Sequence, residues 1–502
     1  MKNNLGRSVP SGFKPYLEAN DYLNHQRKLI PKKKTADKIV FSEDLEAVFL
    51  DLGIKPGMTI SFHHHLRSGD NVLNIIASLI RKHKIKGIHI APSSIFPEYE
   101  IKDLLLDQSI INIHTNYLNG PVADIIGSGL MKGKLFMHTH GGRARAIESG
   151  DLPIDIAFLA CPAVDRQGNG SGAYGTNACG TLGYAISDLM YAKKVVLVTD
   201  TVVDKLPKWQ FDHTYVDYVV KVPSIGDARG IVSGTTRITR DPIGLKIARD
   251  TADLVYQLGI VKNGLSMQTG AGGTSLAVAD AIRKIMIENK IKGSFASGGI
   301  TSYFVEMLKE GLFKKLYDVQ CFDLEAVGSY RDNSKHIAIS ASEYGNPYNP
   351  KAIVNDLDLV ILGAAEVDLD FNVNVTTDSF GKIIGGSGGH ADTANGAKLT
   401  IITSTLAKTR IPLIKERVRT ITTPGEDVDI LVTERGIAVN PKRKDIIEIL
   451  QKTKIPLFSI RELMDIQYRI SGIPKDIPSG DVPVGYVIYR DGTVIDTIFK
   501  LR

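Results

Sequence analysis

One stretch of this chain occurs twice, and that repetition limits the folds open to it. Leu52-Gly53-Ile54, then Val72, Ile76, Leu79 and Ile80, then Lys84-Ile85-Lys86-Gly87 returns as Leu258-Gly259-Ile260, then Val278, Ile282, Ile285 and Met286, then Lys290-Ile291-Lys292-Gly293. From Leu52 to Leu258 the step is 206 residues, with a local slip where Gly57 pairs with Gly264. Stacked-repeat proteins have periods of roughly 20–50 residues, so a step this long is a duplicated domain. In each copy a short apolar run (Met58 to Phe62; Leu265 to Met267) enters a polar loop, and apolar residues then recur at helical spacing. That pattern reads strand, loop, helix. Asp70 is the expected N-cap of the first helix and Thr274 or Ser275 of the second, with Gly87 and Gly293 where the chain leaves each helix.

Between these landmarks the apolar runs Lys194–Val198, Leu359–Leu362 and Asp429–Val432 alternate with helical stretches. The expected fold class is therefore α/β, with two similar domains, each a largely parallel sheet with flanking helices. A break near Asp241-Pro242 gives residues 1–40 as an extended N-terminal arm, 41–245 as the first domain and 246–502 as the second. The excess of Lys and Arg over Asp and Glu, 61 against 55, is too slight over 502 residues to imply nucleic acid. Its densest run, Lys32, Lys33 and Lys34, reads as a solvated linker. Cys161, Cys179 and Cys321 are odd in number and widely spaced, which fits neither a zinc pattern nor a secreted disulfide framework. No apolar stretch approaches the ~18 residues of a membrane span, and Met1 to Pro31 lacks an apolar core or cleavage site. A cytoplasmic protein is expected.

Four segments carry candidate chemistry, each beside a plainer reading. In Gly385-Gly386-Ser387-Gly388-Gly389-His390-Ala391-Asp392, the absence of side chains lets a ligand approach Gly386, and the N–H groups of Gly388 and Gly389 can hold an oxyanion. A tight turn between strands explains the same glycines. The spacing Gly386-x-Gly388-x-x-Ala391 imitates a dinucleotide fingerprint, but the apolar run Leu399 to Thr403 begins too soon for the helix a βαβ unit requires. Gly270-Ala271-Gly272-Gly273-Thr274-Ser275 opens the second repeat helix, where Gly272 and Gly273 favour an anionic ligand. The equivalent place in the first copy is His63-His64-His65-Leu66-Arg67-Ser68-Gly69. There Arg67 suits a phosphate or carboxylate or marks a surface loop, and no metal is expected because no acid or cysteine stands at ligand spacing. His138 to Arg145 carries Arg143 and Arg145, partners for a polyacid or scattered charges on a solvated turn. Asp323 and Glu325 alternate after the Tyr317-Asp318-Val319-Gln320 run, so in a strand both point to one face, as a nucleophile or as loop caps.

Taken together, these motifs resemble the α subunits of citrate lyase, the citrate:acyl-carrier-protein transferases, and more distantly the acetate and 4-hydroxybutyrate CoA-transferases. In the first half the likeness rests on Ala160-Cys161-Pro162-Ala163-Val164-Asp165, Gly168 and Ser171-Gly172. In the second it rests on Glu366-Val367-Asp368-Leu369, Asn374, the glycine run to Asp392, and Thr433-Glu434-Arg435-Gly436-Ile437-Ala438. His138 to Glu148, Gly230 to Arg237 and Gly6-Arg7 with Pro10 point to the citrate lyase branch. The resemblance implies transfer of an acyl-carrier thioester from acetate to citrate, giving citryl carrier and free acetate. It implies an oligomeric complex with a β subunit (citryl lyase) and a γ subunit (acyl carrier protein). This chain would bind no cofactor of its own; the thioester rides on the CoA-like prosthetic group of the carrier. Gly388 and Gly389 would stabilise the oxyanion, and Arg67, Arg143, Arg145, Gly272, Gly273 and Gly386 would bind substrate. Glu325 matches the glutamate of covalent CoA-transferases, whereas citrate lyase α chains transfer directly, so nucleophile and orienting carboxylate both stand. A free acetyl-CoA-dependent CoA-transferase and a citramalate lyase α subunit are the alternatives.

Overall fold

The computed structural model describes residues 1–24, 29–31, 33, 39–232, 237–270, 272–408, 410–475, 478 and 480–502. Lys32, Lys34, Ala271 and residues 233–236 of the Gly230–Arg237 motif lie outside the described residues.

The first large sheet contains β1 (Val40–Ser42), β2 (Thr59–Phe62), β3 (Ile88–Pro92), β4 (Ile110–Thr115), β5 (Leu135–Met137), β6 (Ile156–Ala160), β7 (Lys194–Thr199) and β8 (Tyr218–Lys221). The second contains β9 (Ser266–Thr269), β10 (Gly293–Ile300), β11 (Phe313–Cys321), β12 (His336–Ala338), β13 (Leu359–Leu362), β14 (Thr400–Thr403) and β15 (Ile430–Thr433), followed by β16 (Gly436–Val439) and β17 (Leu457–Phe458). Strand order within the first is β8-β7-β6-β2-β3-β4-β5, and within the second β15-β14-β13-β9-β10-β11-β12. Neighbours in both runs are parallel. The duplication read from 206-residue spacing is thus a duplication of topology. Val195 to Val198 and Leu359 to Ile361 are completely buried, as strands covered by helices on both faces require. One continuous apolar core runs through both halves. Among the described residues, no helix is long and apolar enough to cross a membrane.

Helix α1 (Val72–Lys82) follows β2, α2 (His140–Ser149) follows β5 and α3 (Gly273–Glu288) follows β9. Asp70 Oδ1 accepts from the Val72 N–H at 3.0 Å, but the N-cap of α1 is Asn71 and not Asp70 as expected. The second copy departs from expectation: Gly272, not Thr274 or Ser275, is the N-cap of α3, and no side chain caps that end. A smaller duplication was not visible in the repeat. Asp165 accepts from the Asn169 N–H at 3.0 Å and from its Nδ2 at 3.1 Å, and Asp368 holds Asn372 in the same way at 2.9 and 3.2 Å.

Three sequence expectations are corrected. The span 246–502 does not stay with the second sheet, because β18 (Pro483–Ile488) pairs in parallel with β5 and β19 (Val494–Phe499) pairs antiparallel with β18. Nor are the first residues an extended arm. Asn3 Nδ2 donates to the Ile495 carbonyl at 2.8 Å, and Tyr16 and Val9 are buried against the hairpin. Finally, Asp323 and Glu325 do not share a strand face. Asp323 accepts from the Ala326 N–H at 2.8 Å, capping helix α4 (Leu324–Asp332), and Glu325 lies in its first turn. A seven-residue helix, α5 (His390–Gly396), also fits between the glycine run and β14.

Candidate active site at the seam between the halves

Ligands of open parallel sheets bind beyond the carboxyl ends of the strands, and here the loops leaving those ends of both sheets meet. The Gly385–Gly389 loop of the second half reaches across. Its Gly388 carbonyl accepts from the His140 N–H at 2.8 Å, and the Gly388 N–H donates to the Asn116 carbonyl at 3.1 Å. From β11, Gln320 Nε2 donates to the His64 carbonyl at 2.8 Å. Asp392 of α5 accepts from Thr139 Oγ1 and from the Gly141 N–H, both at 2.8 Å, gripping the His140 corner on both sides.

The glycines of this loop are required by close approach. A Cβ on Gly386 would lie 2.4 Å from the Asn116 oxygen and 2.4 Å from Met137 Cε, and one on Gly389 would lie 2.2 Å from Tyr344 Oη. Gly388 has φ +50°, a region that L side chains disfavour. The two expected oxyanion donors separate here. The Gly388 N–H is engaged by Asn116, so the pair does not act together as the sequence reading supposed. Gly389, the N-cap of α5, has an N–H with no acceptor among the described residues.

The first-half wall of the seam is a stack of rings. Tyr184 lies 4.2 Å from His140, 4.9 Å from His64 and 5.5 Å from His65, centroid to centroid. These imidazoles are neutral. Burial, helped by the Arg143 charge, pushes His140 down to about 3, and burial pushes His63 to about 3. His64 and His65 are lowered by burial and by neighbouring histidines. His63 Nε2 meets the Ala160 carbonyl at 2.9 Å and His64 Nδ1 meets Ser93 Oγ at 2.6 Å, so both rings are fixed in place.

The expected cations take different positions. Arg143 is buried and holds Asp188 through two 2.7 Å bonds and the Ala91 carbonyl through one of 2.6 Å. Arg145 is buried, pairs with the exposed Asp151 and lies over the Tyr348 ring at 5.6 Å. Both guanidinium groups already hold a carboxylate of the protein, as a buried charge requires. Arg67 stands half-buried at the seam between the rings of Phe96 and Phe322, at 5.7 and 4.8 Å. The N-cap of α3, Gly272, comes two residues after Gly270, whose N–H donates to the Ile361 carbonyl at 2.8 Å. Gly272 is exposed, while a Cβ on Gly273 would lie 2.9 Å from the Arg237 carbonyl. Glu325 is half-exposed on α4 and ion-paired with Lys309 at 2.8 Å.

Among the described residues, one group has metal-ligand chemistry: Asp318, Cys321 and His336, all buried. Asp318 Oδ2 lies 3.0 Å from both His336 Nε2 and Cys321 Sγ, hydrogen-bond lengths that let the three satisfy one another. Sequence reasoning missed Gln320, Tyr184, Asn116 and Tyr344. None belongs to a motif with its own signature, and each acquires its place only when the halves meet.

A sequence model of the family "Citrate lyase, alpha subunit (CitF)" matches residues 37–501. The citrate lyase alpha chain of Haemophilus influenzae is 44% identical over 93% of this chain and 94% of its own, and that of Klebsiella pneumoniae 40% identical over 98% and 97%. Among solved structures, a protein from Streptococcus mutans described as the alpha subunit of citrate lyase, in complex with citrate, superposes with TM-score 0.94 at 42% identity, covering 100% of both chains. A malonate decarboxylase alpha subunit from Acinetobacter baumannii shares the fold alone, with TM-score 0.63 at 16% identity over 87% of this chain and 85% of its own. On this match over nearly its whole length, the chain belongs to the family of citrate lyase α subunits.

Proposed function

We propose that the chain moves an acyl carrier's thioester from acetate to citrate at the seam, as the α subunit of citrate lyase. The full-length likeness to the Streptococcus mutans protein solved with citrate carries this reading. In the first step a citrate carboxylate oxygen attacks the acetyl carbonyl, the C–S bond breaks, and the carrier thiolate leaves a mixed anhydride. The thiolate then attacks the citryl carbonyl and acetate departs, so atoms and charge balance without oxidant or metal. Each step passes through an oxyanion. The Gly389 N–H is suited to meet it, and one such donor in a dry site is worth about 3–4 kcal/mol.

Citrate's carboxylates require positive potential. Arg67 and the N-terminal end of α3 at Gly272 and Gly273 supply it in this proposal, while the neutral imidazoles add donors and acceptors without competing charge. The partners are a carrier subunit bearing the CoA-like thiol and a β subunit that cleaves the citryl thioester to oxaloacetate and acetyl carrier. Glu325 stays outside the reaction, because its carboxylate is half-exposed on α4 and paired with Lys309. Acetate release from acetyl-loaded carrier, measured with citrate and separately with citramalate, tests the reading. Release that depends on citrate supports it, release that prefers citramalate moves the chain to that lyase, and turnover of free acetyl-CoA without carrier contradicts it.

A further inference from the structure

Arg490 sits in the turn of the C-terminal hairpin, far in sequence from every motif of the site, and its side chain is completely buried. Tyr489 closes that turn by donating its N–H to the Thr493 carbonyl at 2.8 Å, with Gly492 at φ +92°. Each guanidinium nitrogen is used. Nε donates to Asp392 Oδ1 at 3.1 Å, Nη2 to the Gly345 carbonyl at 3.1 Å, and Nη1 to Tyr22 Oη at 3.0 Å and to Asn395. Tyr22 belongs to the N-terminal segment, and its hydroxyl also meets Asn395 Oδ1 at 2.6 Å. Both ends of the chain therefore converge behind α5.

The carboxylate they meet is the one that holds the seam. Asp392 accepts from Thr139 and from Gly141, the two neighbours of His140, while the His140 N–H bonds the Gly388 carbonyl beside Gly389. We propose that Arg490 is a positioning residue of the transferase site, acting through Asp392 to fix the His140–Gly388–Gly389 corner. This rests on the proposed transfer reaction, and it assigns the C-terminal hairpin a part in that reaction in addition to closing the sheet edge.

The physical basis is charge. Burial raises the Asp392 carboxyl above the usual range and Arg490 opposes that shift, so without the guanidinium Asp392 takes up a proton at higher pH and its acceptor set changes. The groups around Asp392 are Thr139 and the Gly141 N–H from the first half, Arg490 from the hairpin, Tyr22 from the N-terminal segment and Tyr344 and Tyr184 at the seam. Behind Arg490 lies Asp427, held up to about 6 mainly by burial and bonded to Tyr489 and Asn395. Neutral His140 does not titrate between pH 6 and 9.

The test uses the full chain with acetyl-loaded carrier, after the wild type has been seen to exchange acetate for citrate; a wild type that does not exchange sinks the transfer reading, not this inference. Arg490→Gln should stay folded and lose about 100-fold in kcat at pH 6.5, the size of effect expected from a small misplacement of reacting groups. Its KM for citrate should change far less, and its rate should recover as pH rises and Asp392 ionises. Arg490→Lys keeps the charge and should follow the flatter wild-type pH profile at an intermediate rate. Tyr22→Phe, which risks the fold least, should lower kcat about threefold. Wild-type kcat in Arg490→Gln, a loss equal at every pH, or Lys and Gln variants with the same profile would overturn the proposal. If Arg490→Gln does not fold, an unchanged kcat in Tyr22→Phe or a pH-dependent loss in Arg490→Lys would do so.

Discussion

The loop after β2 and the loop after β9 occupy the same place in two copies of one topology, and they are built from opposite materials. In the first copy His63 to Arg67 fills the carboxyl end of the sheet with rings, and His63, His64 and His65 are buried among Tyr184, Ser93 and the Ala160 carbonyl. In the second, Gly270, Gly272 and Gly273 leave bare backbone, and α3 begins without a side-chain cap. Duplication thus left one half to form a wall of buried rings and the other an open edge of bare backbone. The Asp165–Asn169 and Asp368–Asn372 turns, which kept the same bonds in both halves, show where no such division of labour occurred.

Substitutions can break this contrast. The largest effect is expected where the second half closes on the first: Gly389→Val drives a Cβ toward Tyr344 Oη and displaces the unengaged N–H, so transfer should fall by at least about 1,000-fold in a carrier-exchange assay. Tyr184→Ala removes the ring on which His64, His65 and His140 stack and should cost about 3–5 kcal/mol of stability by denaturant titration. The wall's neutrality is testable by pH. His140 has a folded value near 3, below the unfolded value of about 6.5, so it withdraws stability as pH falls below 6.5 and contributes fully above it. His140→Gln should therefore gain about 2 kcal/mol relative to wild type between pH 6.5 and pH 5. On the open edge the pattern reverses: Gly272→Ala meets only Ser275 Oγ at 4.0 Å, so stability should change by under about 0.5 kcal/mol while KM for citrate rises. Glu325→Gln, on the outer helix, should change kcat less than about twofold, since its exposed ion pair is worth little.

The repeat was legible because Val72, Ile76 and Ile80 and their partners Val278, Ile282 and Met286 are all core positions, buried at helical spacing. Other parts had no local mark. The strands of the hairpin Pro483–Phe499 are buried along almost their whole length, and nothing in their sequence names β5 as the neighbour. Arg143 and Asp188 are 45 residues apart, so a guanidinium that reads as a polyacid ligand is in fact paired inside the protein. Asp323 and Glu325 could have been read better: Ala326, Val327 and Tyr330 follow at helical spacing, which makes Asp323 a cap rather than a strand residue. The seam itself, joining Gln320 to the His64 carbonyl across 256 residues, exists only in three dimensions.

The most direct test is a single-turnover mixture of the chain, acetyl-loaded carrier and citrate, with intact masses taken of both proteins. Direct transfer at the seam predicts a carrier that passes from acetyl to citryl while the mass of this chain stays constant. An acyl adduct on this chain, or a carrier that keeps its acetyl group while the chain is folded and citrate is saturating, would contradict the account.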